Sequence, residues 1–323
     1  MRILIFRTAA FGDCLIITPV IRHLHSQGHE LFVVTSKRGM EVFQNNPHIS
    51  KLIQHKEDTP HEKLDENMTW LKKKYNCEKV LDFNESIEVA LSQHPRSPNY
   101  KLPKRERMAR FNRNFYEYAF EHAKLDWTGV DLKPELFFEK HEIDKAKSYL
   151  KEGKKNILLG ISGSGNNKCW PWGQDFTYEL LKRVPNCHIL TVGDEKCRLI
   201  EPEGENITNL CGKIPMRQAM ALTKVVDLVI APDTGIIHSA GCFSTPKICL
   251  LGHNTVECIT KHFENDYSIE ADKKLATCAP CFFLIYNMKL QCPLAENGGA
   301  YCMENGLTLE AVLKHTENVL CSI

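Results

Sequence analysis

No apolar run in this sequence approaches the ~18 residues that a membrane-crossing helix needs, which argues against an integral membrane protein. Charge of one sign is equally lacking. Forty-one Lys and Arg face forty Asp and Glu over 323 residues, so no global field points to nucleic acid as a partner. The apolar stretch between Met1 and Arg7 is too short for a signal-peptide core and reads better as a strand. There is no repeat at a solenoid period and no low-complexity tract. The dinucleotide fingerprint is missing too. Gly160, Gly163 and Gly165 fall in the order G-x-x-G-x-G, and no helix opens at the last of them. These absences leave a globular chain expected to work in the cytosol, where thiols stay reduced. At 43% hydrophobic and 25% charged it has material for one large or two medium α/β domains.

What is present is periodic. "ILIF" (Ile3 to Phe6) reads as a strand, followed by a loop and a helical pattern through Ile16, Ile17, Val20, Ile21 and Leu24. Pro19 interrupts that pattern, so the regular helix is expected to start near Thr18. Gly28 closes it, and "LFVVT", "KLIQH" and "KVLDF" supply further strands. The charged segment Glu139 to Asn156 marks a boundary. After it the alternation restarts with "ILLGIS", "HILTVG", "NLCG", "VDLVIA" and "KICLLG". Such β-α-β alternation predicts parallel sheets with helices on both faces. The expected organisation is an α/β chain of two doubly wound, Rossmann-like domains, residues 1–150 and 151–323, facing a cleft. Ligands are expected at the strand ends that line the cleft.

Three stretches carry candidate chemistry. In "VDLVIAPDTGIIHSAG" an apolar strand runs into Asp233, Thr234 and Gly235, where a helix begins. Thr234 or Asp233 is expected to cap that helix, leaving free amides for phosphate oxygens, with His238 one turn on. A plain cap and a packed histidine are the alternatives. In "GISGSGNNKCWPWGQDF" a glycine-rich loop lets backbone approach an anion, with Lys168 as a mobile charge or an ordinary surface lysine. In "RTAAFGDCLIITP" Asp13 follows the first strand, placed either to deprotonate a hydroxyl or to serve a helix dipole.

Together these stretches resemble glycosyltransferase family 9, the ADP-heptose:lipopolysaccharide heptosyltransferases. The residues carrying the resemblance are "ILIFRTAAFGDCLIITPVIRHL", then Lys168, Trp170, Pro171 and Phe176, then "NLCGK" and "DLVIAPDTGIIHSAGCFSTPKICLLG". The likeness covers nearly the whole chain and is weakest between about Asn84 and Glu139. It implies a GT-B fold and an inverting transfer that needs no catalytic metal. It implies Asp13 as base, Lys168 near the donor phosphates, and Asp233, Thr234, Gly235 and His238 as the donor-binding motif. The chain departs from the family pattern at Ala10-Phe11, Cys169, Ser239 and Gly241, none of which removes a charged group.

Two features lie outside those motifs. "KLPKRERMARFNR" concentrates Lys101, Lys104, Arg105 and Arg107, with Arg110 and Arg113, against Glu106 alone. It reads as a site for an acidic, phosphorylated glycolipid or the anionic leaflet of the inner membrane, or else as a solvated helix face. The chain also has fourteen cysteines. Ten sit singly, mostly in apolar contexts, as small core residues. The other four, Cys278, Cys281, Cys292 and Cys302, form a C-x2-C followed by two later thiols. They suit a closed structural site for Zn or Fe, or serve as reduced packing cysteines. Some relatives that modify autotransporter adhesins carry a similar late cysteine site. The expected reaction is heptose transfer from ADP-heptose to lipopolysaccharide inner core. The alternatives are transfer to a protein hydroxyl of an adhesin, and a non-catalytic metal-binding interaction module.

Overall fold

A computed structural model of the chain describes residues 1–55, 64–84, 86–93, 102–283, 292–295 and 299–323. The strands are β1 (Arg2–Arg7), β2 (Glu30–Thr35), β3 (Lys51–Gln54), β4 (Lys79–Asp82), β5 (Lys155–Gly160), β6 (Cys187–Val192), β7 (Ile207–Asn209), β8 (Leu228–Pro232), β9 (Lys247–Leu251) and β10 (Ile269–Glu270). They form two sheets, ordered β3-β2-β1-β4 and β10-β9-β8-β5-β6-β7. Every pairing is parallel. The central strands are near-continuous apolar runs because helices cover both faces of a parallel sheet. Ile3, Leu4, Ile5 and Phe6 of β1 are all buried, and each such side chain stabilises the fold by roughly 1.5–3 kcal/mol.

The helices are α1 (Phe11–Ile16), α2 (Thr18–Ser26), α3 (Lys37–Phe43), α4 (Leu64–Lys74), α5 (Ser86–Ala90), α6 (Lys104–Phe111), α7 (Phe115–His122), α8 (Lys140–Lys147), α9 (Gly173–Arg183), α10 (Met216–Leu222), α11 (Gly235–Gly241), α12 (Val256–Ile259) and α13 (Leu309–Ser322). No described helix is long and apolar enough to cross a membrane. Helix α13 starts after Thr308, whose hydroxyl caps Ala311 N, and buries Val312, Leu313, Val319 and Leu320.

Two local expectations need correction, and one short strand went unread. The segment before Thr18 is not a loop: residues 11–16 make a short helix of their own, and Pro19 sits in the first turn of α2, where its missing N–H is harmless. Strand β7 ends at Asn209, so most of "NLCG" lies beyond it. The two-residue edge strand β10 had no signal strong enough to read.

The two halves of the chain touch where their strands end. Helix α1, after β1, packs on α11, after β8. The approach requires glycine at Gly12, where a Cβ would lie 2.9 Å from His238 Cδ2, and at Gly235, where it would lie 2.9 Å from Phe11 Cβ. Helix α8, in the charged boundary segment, packs on α10, and Glu142 Oε1 accepts from Arg217 Nε at 2.7 Å.

Candidate functional site

The carboxyl end of β1 delivers Asp13. It occupies the first turn of α1, where its Oδ2 accepts from Ala10 N at 3.1 Å, an N-terminal capping contact. Its Oδ1 lies 3.6 Å from Nη2 of Arg7, and its main-chain carbonyl accepts from Arg7 Nε at 3.1 Å. Arg7 is fully buried, while the Asp13 side chain keeps 27% exposure. The carboxylate therefore has one face on a buried cation and one face open.

The carboxyl ends of β5 and β8 deliver the opposing charges. Lys168 ends the short turn Asn166–Lys168, and its Nζ lies 3.1 Å from Asp233 Oδ2. Asp233 is almost wholly buried. Its Oδ1 lies 3.3 Å from His238 Nε2, and its Oδ2 accepts from Asn254 Nδ2 at 3.1 Å and lies 3.8 Å from His253 Nε2. Burial alone would raise the acid's pKa. Lys168, then His238 and His253, overcome it and hold Asp233 well below the usual carboxylate range. Burial opposes the charge on Lys168 as well, but Asp233 and then Asp13 raise its pKa, so it stays an ammonium. Asp13 and Lys168, from opposite halves, are thus within electrostatic reach of each other.

His238 connects the halves a second time. Its Nδ1 lies 2.8 Å from the hydroxyl of Tyr116, on α7. An ionised Asp233 only accepts, so Nε2 carries a proton, and Nδ1 shares a second hydrogen bond with the Tyr116 hydroxyl. Burial raises the Tyr116 pKa and keeps it a phenol able to donate. Thr234 occupies the N-cap of α11, yet neither it nor Asp233 caps the helix by a side-chain bond. The Thr234 hydroxyl is buried without a partner among the described residues. The start of α11 does not face an open crevice either, since Phe11 and Gly12 lie against it.

Asp13, Lys168, Asp233, Thr234, Gly235 and His238 are therefore gathered at one meeting point of strand ends. The basic run is not gathered there. Lys101 lies outside the described residues. On α6, Lys104 Nζ donates to Thr277 O and Arg107 Nη1 donates to Leu102 O at 3.0 Å, while Arg105 is exposed. Lys104 and Arg107 are close enough to favour the thiolate of Cys278, so part of the run faces the cysteine segment.

The four late cysteines are free thiols. Burial, followed by the neighbouring thiols, raises Cys302; burial pushes Cys281 to about 11, with Cys278 and Cys292 adding to it. The four are near neighbours. Among the described residues, however, no group of three or more His, Cys, Asp or Glu is arranged to hold a metal. Tyr116, His253 and Asn254 escaped the sequence reading. His253 and Asn254 follow β9 at its carboxyl end, the position that could have flagged them. Nothing local marks Tyr116.

Residues 95–281 match the family model described as glycosyltransferase family 9 (heptosyltransferase). The lipopolysaccharide core heptosyltransferase OpsX of Haemophilus influenzae is 23% identical over 275 residues, covering 77% of this chain and 78% of that protein. Among solved structures, ADP-heptose lipopolysaccharide heptosyltransferase II of E. coli superposes with a TM-score of 0.67 at 15% identity, over 100% of this chain and 99% of that one. The iron-containing dodecameric glycosyltransferase TibC of enterotoxigenic E. coli superposes with a TM-score of 0.63 at 13% identity, over 99% and 78%. With the two parallel sheets, these likenesses give the GT-B fold that the motifs implied.

Proposed function

The chain belongs to glycosyltransferase family 9, the heptosyltransferase family, and from that premise we propose that it moves a heptose from an ADP-activated donor to a hydroxyl of lipopolysaccharide inner core, with inversion. It is a glycosyltransferase. We take residues 1–150 as the acceptor half and 151–323 as the donor half. The observation that carries the reading is the convergence of Asp13 from one half with Lys168 and Asp233 from the other.

In this reading Asp13 removes the acceptor proton as the hydroxyl oxygen bonds to the anomeric carbon. The bond from that carbon to the diphosphate oxygen breaks, and its electron pair leaves with ADP. Lys168 offsets the charge that develops there, so the step needs no divalent ion. Asp233 keeps Lys168 charged and orients the His238 ring. The contact of Phe11 with Gly235 has to open for a donor to enter, so domain opening and closing belong to the cycle.

A second reading places the acceptor on a protein, an autotransporter adhesin, and rests on the late cysteine cluster together with the fold likeness to TibC. The four thiols form a donor set that suits Zn or Fe, and two cations lie beside Cys278. A metal at Cys278, Cys281, Cys292 and Cys302 is proposed from the chemistry of the four thiols alone, since the arrangement of the described residues does not hold one; it would be structural and take no step of the reaction. The non-catalytic alternative falls with family membership. A screen of ADP-, UDP- and GDP-sugars for nucleotide release tests the donor assignment. ADP-heptose should stand at least tenfold above the others, and preference for a UDP- or GDP-sugar would overturn it.

A further inference from the structure

The three residues Cys281 to Phe283, which start at the second thiol of the C-x2-C, run between the halves. Phe282 N donates to His253 O at 2.8 Å, and Phe282 O accepts from Gln93 N at 2.7 Å. Gln93 Nε2 donates to Cys281 O at 2.7 Å, and Asn167 Nδ2 donates to Phe283 O at 3.0 Å. Phe282 is held at φ 55°, a left-handed conformation that a bulky residue rarely adopts, with its buried ring 6.0 Å from that of Phe111. Strain of this kind persists only where the surroundings over-determine it, and it concentrates at ligand sites. Here contacts from both halves hold it.

This strap fixes the orientation of two side-chain amides. A main-chain carbonyl only accepts, so the NH2 ends of Gln93 and Asn167 have to face Cys281 O and Phe283 O. Asn254 is fixed the same way by Asp233, whose carboxylate takes its NH2 end at 3.1 Å. The opposite ends, Gln93 Oε1, Asn167 Oδ1 and Asn254 Oδ1, are buried and have no hydrogen-bond partner among the described residues. All three residues are more than nine-tenths buried: Gln93 at 0%, Asn167 at 3% and Asn254 at 4% exposure. Buried carbonyl oxygens are nearly always paired, so two on amides that hold the strap and a third on the amide that holds Asp233 require explanation. Asn167 precedes Lys168, Asn254 holds Asp233, and Gln93 comes from the other half. All three unpaired atoms are acceptors. A diphosphate offers them nothing, whereas a sugar ring offers a set of hydroxyl donors.

We propose that Gln93, Asn167 and Asn254 accept hydrogen bonds from hydroxyls of the sugar being transferred, with the Cys281–Phe283 strap orienting the first two. The inference rests on the donor reading above and deepens it. It makes the strap a positioning element and the amides the residues that select the sugar.

The test pairs variants with donors. ADP-heptose and a set of its mono-deoxy analogues are assayed with the parent, Gln93→Ala, Asn167→Ala and Asn254→Ala. In the parent, loss of a matched hydroxyl should lower kcat/KM roughly tenfold. In the matching variant that ratio should fall to near one, while a parent-like circular-dichroism spectrum and a cooperative melting transition show that the variant is folded. The same ratios in parent and all variants would overturn the proposal. Should a variant fail to fold, competition binding to the parent decides. At least two mono-deoxy analogues should bind several-fold more weakly than ADP-heptose, and equal binding of every analogue would overturn the assignment. If the parent releases ADP from no ADP-sugar, the donor reading itself fails, a result separate from either of these.

Discussion

Replacing Asp233 by Asn should destabilise the protein more than replacing its partner Lys168 by Met. The two charges lie 3.1 Å apart, with side-chain exposures of 6% and 19%. At an effective dielectric constant of ~20 that separation corresponds to a gross attraction of about 5 kcal/mol, which desolvation largely offsets. Removing one member of a buried pair strands the other and typically costs ~3–5 kcal/mol. Asp233→Asn strands the Lys168 ammonium and also removes the carboxylate that His238 and His253 face. Its loss should fall at the upper end of that range. Lys168→Met leaves Asp233 with its contacts to His238 and Asn254 and should fall at the lower end. Because the double variant strands neither charge, it should fall short of the sum by at least ~1 kcal/mol. Urea unfolding followed by the fluorescence of buried Trp170 reads all three differences. ADP calorimetry should show weakened binding in both single variants. Single losses below ~0.5 kcal/mol with an additive double variant would refute the account of a buried, mutually dependent pair.

Other expectations follow from the same geometry. Burial, aided by Lys168 and opposed by Asp233, lowers the His253 pKa to about 4, and burial does the same to His188. An unfolded histidine takes a proton near pH ~6.5. Stability should therefore fall as pH drops from about 6.5 to 4, by up to ~3 kcal/mol from His253. Melting curves of His253→Asn should show a shallower slope across that window, and an unchanged slope would place the titration elsewhere. Protein purified without chelator should carry about one equivalent of Zn or Fe, and Cys281→Ser should lose both the metal and thermal stability. Elemental analysis finding under a tenth of an equivalent in folded, active protein would leave the four as packing thiols. Reversing the charges of exposed Arg105 and Arg110 should raise the acceptor KM, most at low salt, without altering donor affinity. Loss of donor binding instead would remove α6 from the acceptor side.

Much of the architecture was legible because buried parallel strands are short apolar runs closed by turn residues, as in Ile3 to Phe6 and Leu228 to Ala231. The charged candidates were legible for a related reason. Asp13, Lys168 and Asp233 each follow such a run, so topology brings them together at strand ends. Short elements escaped: α1 has six residues and β10 two, too few for periodicity to register. The cap expected of Thr234 failed because position in the chain does not determine where a hydroxyl points. Neutral residues were the least readable. Tyr116 meets His238 across 122 residues of sequence, and Gln93 meets Cys281 across 188. Nothing in the local pattern of either announces the contact.

The central claim is that Asp13, contributed by one half, deprotonates an acceptor whose sugar donor is held by the other. Its most direct test is acceptor-dependent ADP release from ADP-heptose, with heptose-deficient lipopolysaccharide core as acceptor, by the parent and Asp13→Asn. The account predicts a loss of ~10²–10⁴ in turnover, with ADP affinity nearly unchanged. An Asp13→Asn enzyme that turns over at more than about half the parent rate would contradict it.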